Sequence, residues 1–108
     1  MEMQKNILTI GLNDKDTQNQ IINTPEAKQI ISETLINKYG VFAFTMIECA
    51  GVYKMNSTGD LIQESSLRIE IATDEPMQEI DSIIDELKTV LNQESIMHEV
   101  SEATIYFK

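Results

Sequence analysis

Residues 41–73, VFAFTMIECAGVYKMNSTGDLIQESSLRIEIAT, decide the fold. Phe42, Phe44 and Met46 alternate with Ala43, Thr45 and Ile47, the two-residue period of a strand with one face on a core. The strand-like pattern reaches residue 55, and Gly51 in its middle predicts a bulge or bend. Asn56-Ser57-Thr58-Gly59-Asp60 has the composition of a hairpin turn. Residues 61–73 return as a second strand, with Leu67, Ile69 and Ile71 facing one way and Ser66, Arg68 and Glu70 the other. The stretch is one antiparallel hairpin.

Each side of the hairpin carries a helix and then a strand. Upstream, Thr24-Pro25-Glu26 opens a helix. Thr24 can cap it, Pro25 suits the first helical position, and Glu26 complements the helix dipole. Ala27, Ile30, Ile31, Thr34 and Leu35 follow helical spacing, and Gly40 stops it. Residues 5–12 (KNILTIGL) alternate as a strand, with Leu8, Ile10 and Leu12 on one face and Ile7, Thr9 and Gly11 on the other. Downstream, Asp74-Glu75-Pro76 starts a second helix. Its apolar stripe runs through Met77, Ile80, Ile83, Ile84, Leu87, Val90 and Leu91, and residues 92–94 end it. A last strand is expected over 103–107.

The order strand, helix, strand, strand, helix, strand is the split βαβ, or ferredoxin-like, pattern of the α+β class. It predicts a four-stranded antiparallel sheet with both helices on one face. The other face would carry Ile7, Thr9, Arg68, Glu70, Thr104 and Tyr106. Such a half-polar face is solvated or pairs with a second copy, so a homodimer is compatible with it. At 108 residues, the chain is expected to form a single domain over 1–108.

The charge excludes several roles. There are 18 acidic and 8 basic residues, a net charge of −10. Direct nucleic-acid binding and anionic membranes are disfavoured, because both need lysine and arginine, and Arg68 is the only arginine. No apolar run approaches a transmembrane length, and no leader peptide is readable. Cys49 is the only cysteine, so no internal disulfide forms. A cytoplasmic location is expected.

Candidate sites are few. Asn13, Asp14, Lys15, Asp16 and Thr17 open a long polar loop over 13–23. Its two carboxylates fail the calcium-loop pattern at the glycine and glutamate positions. Asp14 and Asp16 then read as turn formers through Asx-type bonds. Cys49 with His98 makes a poor nucleophile and base, since a mid-strand cysteine among apolar neighbours is ordinarily buried and inert. Along the hairpin, Glu48, Tyr53, Lys54, Glu64 and Arg68 form a polar set, with Arg68 as a cross-strand partner for Glu48. Residues 74–102 hold most of the excess charge, at −8. Glu79, Asp81, Asp85 and Glu86 there are a candidate surface for a basic partner. No catalytic set, metal site or cofactor motif is expected.

The runs Leu8-Thr9-Ile10-Gly11-Leu12-Asn13-Asp14-Lys15-Asp16-Thr17, Gly51-Val52-Tyr53, Gly59 and Glu64-Ser65-Ser66-Leu67-Arg68-Ile69-Glu70 carry a resemblance. The chain resembles a group of small proteins carried by phages, plasmids and integrative elements of AT-rich Gram-positive bacteria, a group with no shared activity to carry over. The resemblance implies an accessory role in a mobile element and draws attention to residues 13–17 and Glu64.

Two functions are expected. The first is a non-enzymatic acidic binding protein, an accessory or inhibitory factor that contacts a host or element-encoded protein through the second helix. The second is a small-ligand, nucleotide-type sensor or sequestering protein. Its site would lie between the 13–23 loop and the hairpin, from Asn13, Asp14, Lys15, Asp16, Thr17, Glu48, Tyr53, Glu64 and Arg68.

Overall fold

A computed structural model describes residues 1–108. The elements are β1 (Glu2–Gly11), α1 (Thr24–Glu33), β2 (Thr45–Lys54), β3 (Leu61–Thr73), α2 (Ile80–Val90) and β4 (Met97–Thr104). The sheet is antiparallel in the order β2-β3-β1-β4, the ferredoxin-like topology that the sequence predicts.

The core lies between the helices and one sheet face. Leu8, Ile10 and Leu12 from β1 and its end meet Leu67, Ile69 and Ile71 from β3. Ala27, Ile31 and Leu35 press on them from the first helix and its extension, and Ile80, Ile83, Leu87 and Leu91 from the second. Burying each large aliphatic side chain stabilises the fold by about 1.5–3 kcal/mol.

Helix ends differ from expectation in ways the local chemistry explains. Asn23, not Thr24, caps α1, its Oδ1 accepting from Glu26 N–H at 2.8 Å. The helix then widens into a π turn over Thr34–Lys38, and Val41 N–H reaches back to Leu35 O at 2.8 Å. Gly40, at φ +65°, makes the stop. The second helix starts later than Pro76, at Ile80, and the Glu79 side chain makes no capping bond. Thr73 Oγ1 donates to Glu75 O at 2.6 Å, which holds the entry as a loop.

Three sheet expectations are corrected. Strand β4 runs over Met97–Thr104, not 103–107, because its register is set by β1, which offers partners only from Glu2 to Thr9. This shift also reverses the faces. Thr104 pairs with Glu2, on the helix side, Ala103 joins the open face with Met3, and Tyr106 lies outside the strand. Gly51 makes no bulge, since β2 and β3 pair without interruption from Thr45↔Glu70 to Lys54↔Leu61. Cys49 is exposed, not buried, because it stands on an edge strand and faces the open side of the sheet, opposite Ser66.

The outer half of the hairpin projects from the body. Val52 and Leu61 remain 64% and 72% exposed. The molecule measures 47 × 26 × 24 Å and exposes 6923 Å², against roughly 6,000 Å² for a rounded chain of this mass. No helix is long and apolar enough to cross a membrane.

Candidate functional site

Residues opposite each other in an antiparallel pair share a face. Cys49, Gly51 and Tyr53 therefore share the open face with their partners Ser66, Glu64 and Ile62. Gly11 joins them from β1, opposite Ser66. The Glu64 side chain leans over Gly11, where a Cβ would overlap its carboxylate. Only glycine leaves room for that approach. The carboxylate is then fixed by Asn13, whose backbone N–H donates to Glu64 Oε2 at 3.0 Å. Asn13 Nδ2 also donates to Gln63 O at 3.3 Å, so this residue clips the end of β1 to the hairpin.

The 13–23 loop is built around Asp14. Its Oδ2 accepts from the N–H groups of Asp16 (3.0 Å) and Thr17 (3.1 Å), the Asx-type turn expected. Asn92, at φ +49° just past α2, donates its amide to Asp14 Oδ1 at 2.5 Å and Asp16 Oδ2 at 2.9 Å. That amide holds the Asp14 carboxyl below its ordinary value. The turn N–H groups act in the same direction, and partial desolvation acts against them. Gln93, nearly buried, donates Nε2 to Asn13 O at 2.8 Å. The loop thus rests on the end of the second helix.

Tyr53 closes the arrangement by donating its hydroxyl to Gln18 Oε1 at 2.6 Å. Gln18 takes a left-handed φ of +61°, and its amide Nε2 returns to Lys15 O at 2.9 Å. Two clefts, one on each face of the hairpin, have Asn13 and Glu64 in their lining. One, of about 180 Å³, is lined by Gly11, Lys15, Gln18, Tyr53 and residues 93–95. The other, of about 370 Å³, is lined by Gln20 and the facing stretches 50–52 and 63–65.

Of the expected ligand residues, Asn13, Lys15, Tyr53 and Glu64 line these clefts, and Asp14, Asp16 and Thr17 build the loop beside them. Glu48 and Arg68 do not join them, and they do not pair with each other. Glu48 is opposite Leu67, on the helix side, and binds Lys28 at 2.6 Å. Arg68 is on the open face opposite Thr9 and Ile47, with Glu70 at 3.7 Å. A one-residue difference in parity separates them. The sequence reading missed Gly11, Gln18, Gln20, Gln63, Asn92 and Gln93. The one available signal was the amide-rich composition of the loop and of the end of the second helix.

The other candidates are dispersed. Cys49 on β2 and His98 on β4 stand at opposite edges of the sheet. His98 is a strand residue, not a rim residue, and its Nε2 lies 2.8 Å from Asn6 Oδ1. In the acidic set, Glu86 binds Lys38, whose pKa is raised chiefly by that hydrogen bond, and Asp85 lies 3.9 Å from Lys88. Glu79 and Asp81 make no ion pair.

No family model matches the chain, and no curated protein matches it. Solved structures do. A phage SAM lyase in complex with S-methyl-5'-thioadenosine is 23% identical, with a TM-score of 0.68 over 93% of this chain and 81% of the other. A phage SAM lyase in its apo state is 25% identical, with a TM-score of 0.61 over 92% of this chain and 79% of the other. The B. subtilis GlnK–ATP complex is 18% identical, with a TM-score of 0.58 over 94% and 82%. The fold is therefore shared with a phage protein and with proteins solved bound to adenine nucleosides and nucleotides. The expectation that this chain is not an enzyme is corrected by the two lyase structures, which are enzymes built on the same fold.

Proposed function

We propose that the chain is a lyase-type protein for an adenosine sulfonium compound, with its site at Glu64 and Tyr53. The observation that carries this is the placement of Glu64. Its carboxylate is seated over Gly11, tied by the Asn13 N–H, beside the cleft that Tyr53 and Gln18 line. A cationic sulfonium is attracted to such a fixed carboxylate. The 25% identity to a SAM lyase over 92% of the chain supports the same ligand class.

The chemistry asks little of the protein. When a carbon–sulfur bond of the sulfonium breaks, the sulfur keeps the bonding pair and leaves as a neutral thioether. The departing four-carbon fragment supplies the balancing pair in one of two ways. A base takes a proton from it to form an alkene, or its own carboxylate closes a ring. In this reading Glu64 serves as that base or holds the fragment's ammonium group, and Tyr53 orients the nucleoside.

Self-association belongs to this reading. The cleft on the Tyr53 side, about 180 Å³, is smaller than the roughly 300 Å³ at which ligand pockets begin. Beside it stands the exposed edge strand β2. A second copy lying against that edge would enclose the ligand and cover Val52 and Leu61.

The test is incubation with S-adenosylmethionine and chromatographic detection of S-methyl-5'-thioadenosine. Release by the wild type, lost in Glu64→Gln with the fold retained, is expected. A wild type that neither releases the thioether nor binds it by calorimetry would overturn the reading.

A further inference from the structure

Gln18 holds a left-handed φ of +61°, a conformation that glycine or asparagine adopts at less cost. Its side chain is bonded at both ends. The amide Nε2 donates to Lys15 O at 2.9 Å, and Oε1 accepts from the Tyr53 hydroxyl at 2.6 Å. The first bond dictates the second. A backbone carbonyl only accepts, so Lys15 O must face the amide nitrogen. The amide oxygen is left toward Tyr53, and the single proton of the phenol is committed to it.

A bond that only tied the hairpin to the loop could run either way, with the phenol accepting from the amide. Here the Lys15 bond fixes its direction. The consequence falls on the cleft of about 180 Å³ that Gln18, Tyr53 and Glu64 line. With its proton spent, the Tyr53 oxygen offers a ligand only a lone pair. Glu64 stands diagonal to it on the open face, because Tyr53 pairs with Ile62 and Glu64 is two residues further along β3. A carboxylate also only accepts, and Oε2 is already occupied by the Asn13 N–H at 3.0 Å. Both side chains that the hairpin presents to this cleft are therefore acceptors. A ligand that meets them must bring donors, and the hydroxyls of a ribose are such donors. We propose that Gln18 is a positioning residue. It turns the Tyr53 proton away from the cleft, so that the phenol oxygen accepts from a ribose hydroxyl of the adenosine ligand. This rests on the lyase-type reading above.

The test compares Gln18→Glu with Gln18→Leu. Both lose the donor to Lys15 O, and only glutamate keeps an acceptor for the Tyr53 proton. The probes are S-methyl-5'-thioadenosine and its 2'-fluoro-2'-deoxy and 3'-fluoro-3'-deoxy forms, in which fluorine replaces a hydroxyl at similar size and removes the donor. In calorimetry, wild type and Gln18→Glu should bind one of the fluoro forms about tenfold more weakly than the parent. In Gln18→Leu the freed phenol proton can turn toward the fluorine, and the discrimination should shrink to about threefold or less. Wild type that binds both fluoro forms as well as the parent would overturn the proposal, without any variant, and leave the lyase-type reading standing. Discrimination in Gln18→Leu equal to that of wild type would also overturn it, reducing Gln18 to a tie between loop and hairpin. So would equal loss of discrimination in Gln18→Glu and Gln18→Leu, or failure of both to fold. A wild type that binds neither S-adenosylmethionine nor the thioether would overturn both readings together.

Discussion

The Tyr53 hydroxyl donates to Gln18 Oε1 at 2.6 Å, joining the projecting hairpin to the loop that leaves β1. This side-chain bond ties two segments that otherwise meet through Asn13. Tyr53→Phe removes it and keeps the ring. The variant should lose about 0.5–1.5 kcal/mol in chemical denaturation. The Gln18 amide, bonded to Asp14 O, should exchange faster with solvent. Unchanged exchange would mean that the loop is held without the tyrosine.

Gly11 and Glu64 should behave as one unit. Gly11→Ala forces the carboxylate off its seat and away from the Asn13 N–H, at a cost of about 0.5–1.5 kcal/mol for the lost hydrogen bond. In a Glu64→Ala background the same change should be close to neutral. The double-mutant cycle measures this directly, and additive losses would show that the two do not touch in solution.

Asn92 serves in two ways that substitution can separate. Its amide braces Asp14 and Asp16, and its backbone is left-handed. Asn92→Gly keeps the backbone and loses the amide, whereas Asn92→Ala loses both. The alanine variant should be the less stable by about 1–2 kcal/mol. Equal midpoints in urea would contradict this.

Asp14 sets a pH dependence with a definite sign. Its folded carboxyl is held below the ordinary 3.8, so as pH falls the unfolded chain takes up the proton first. The stabilisation is complete above the ordinary value and is lost as pH falls through the folded one. The difference in melting temperature between wild type and Asp14→Asn should therefore narrow below pH 3.8. A constant difference would show that the carboxylate charge contributes nothing.

The order of elements was legible in the sequence because each has a clear period. Leu8-Ile10-Leu12, Leu67-Ile69-Ile71 and, in the second helix, Ile80, Ile83, Leu87 and Leu91 face the core as their spacing predicts, whereas Val90 of the same stripe stays exposed. What escaped was parity and pairing. The face of β4 depends on where β1 begins, which no local pattern in residues 97–107 records. Glu48 and Arg68 looked like partners because both interrupt apolar runs, yet the register puts them on opposite faces. In the candidate site, Tyr53, Glu64 and the Asp14 turn were legible as polar exceptions. The amides that hold them, Gln18, Asn92 and Gln93, were not, because their partners are distant in sequence.

The place of β1 in the sheet also bears on how the chain folds. It lies between β3 and β4, and its pairing with β4 joins Glu2 to Thr104. The central strand therefore cannot gain its second neighbour until almost the whole length of the chain has been gathered. Such distant pairings make for slow folding, and an intermediate lacking β4 would present Ile7 and Leu8 on an open edge. The step that completes the sheet is also the one that covers this edge of β1 during refolding.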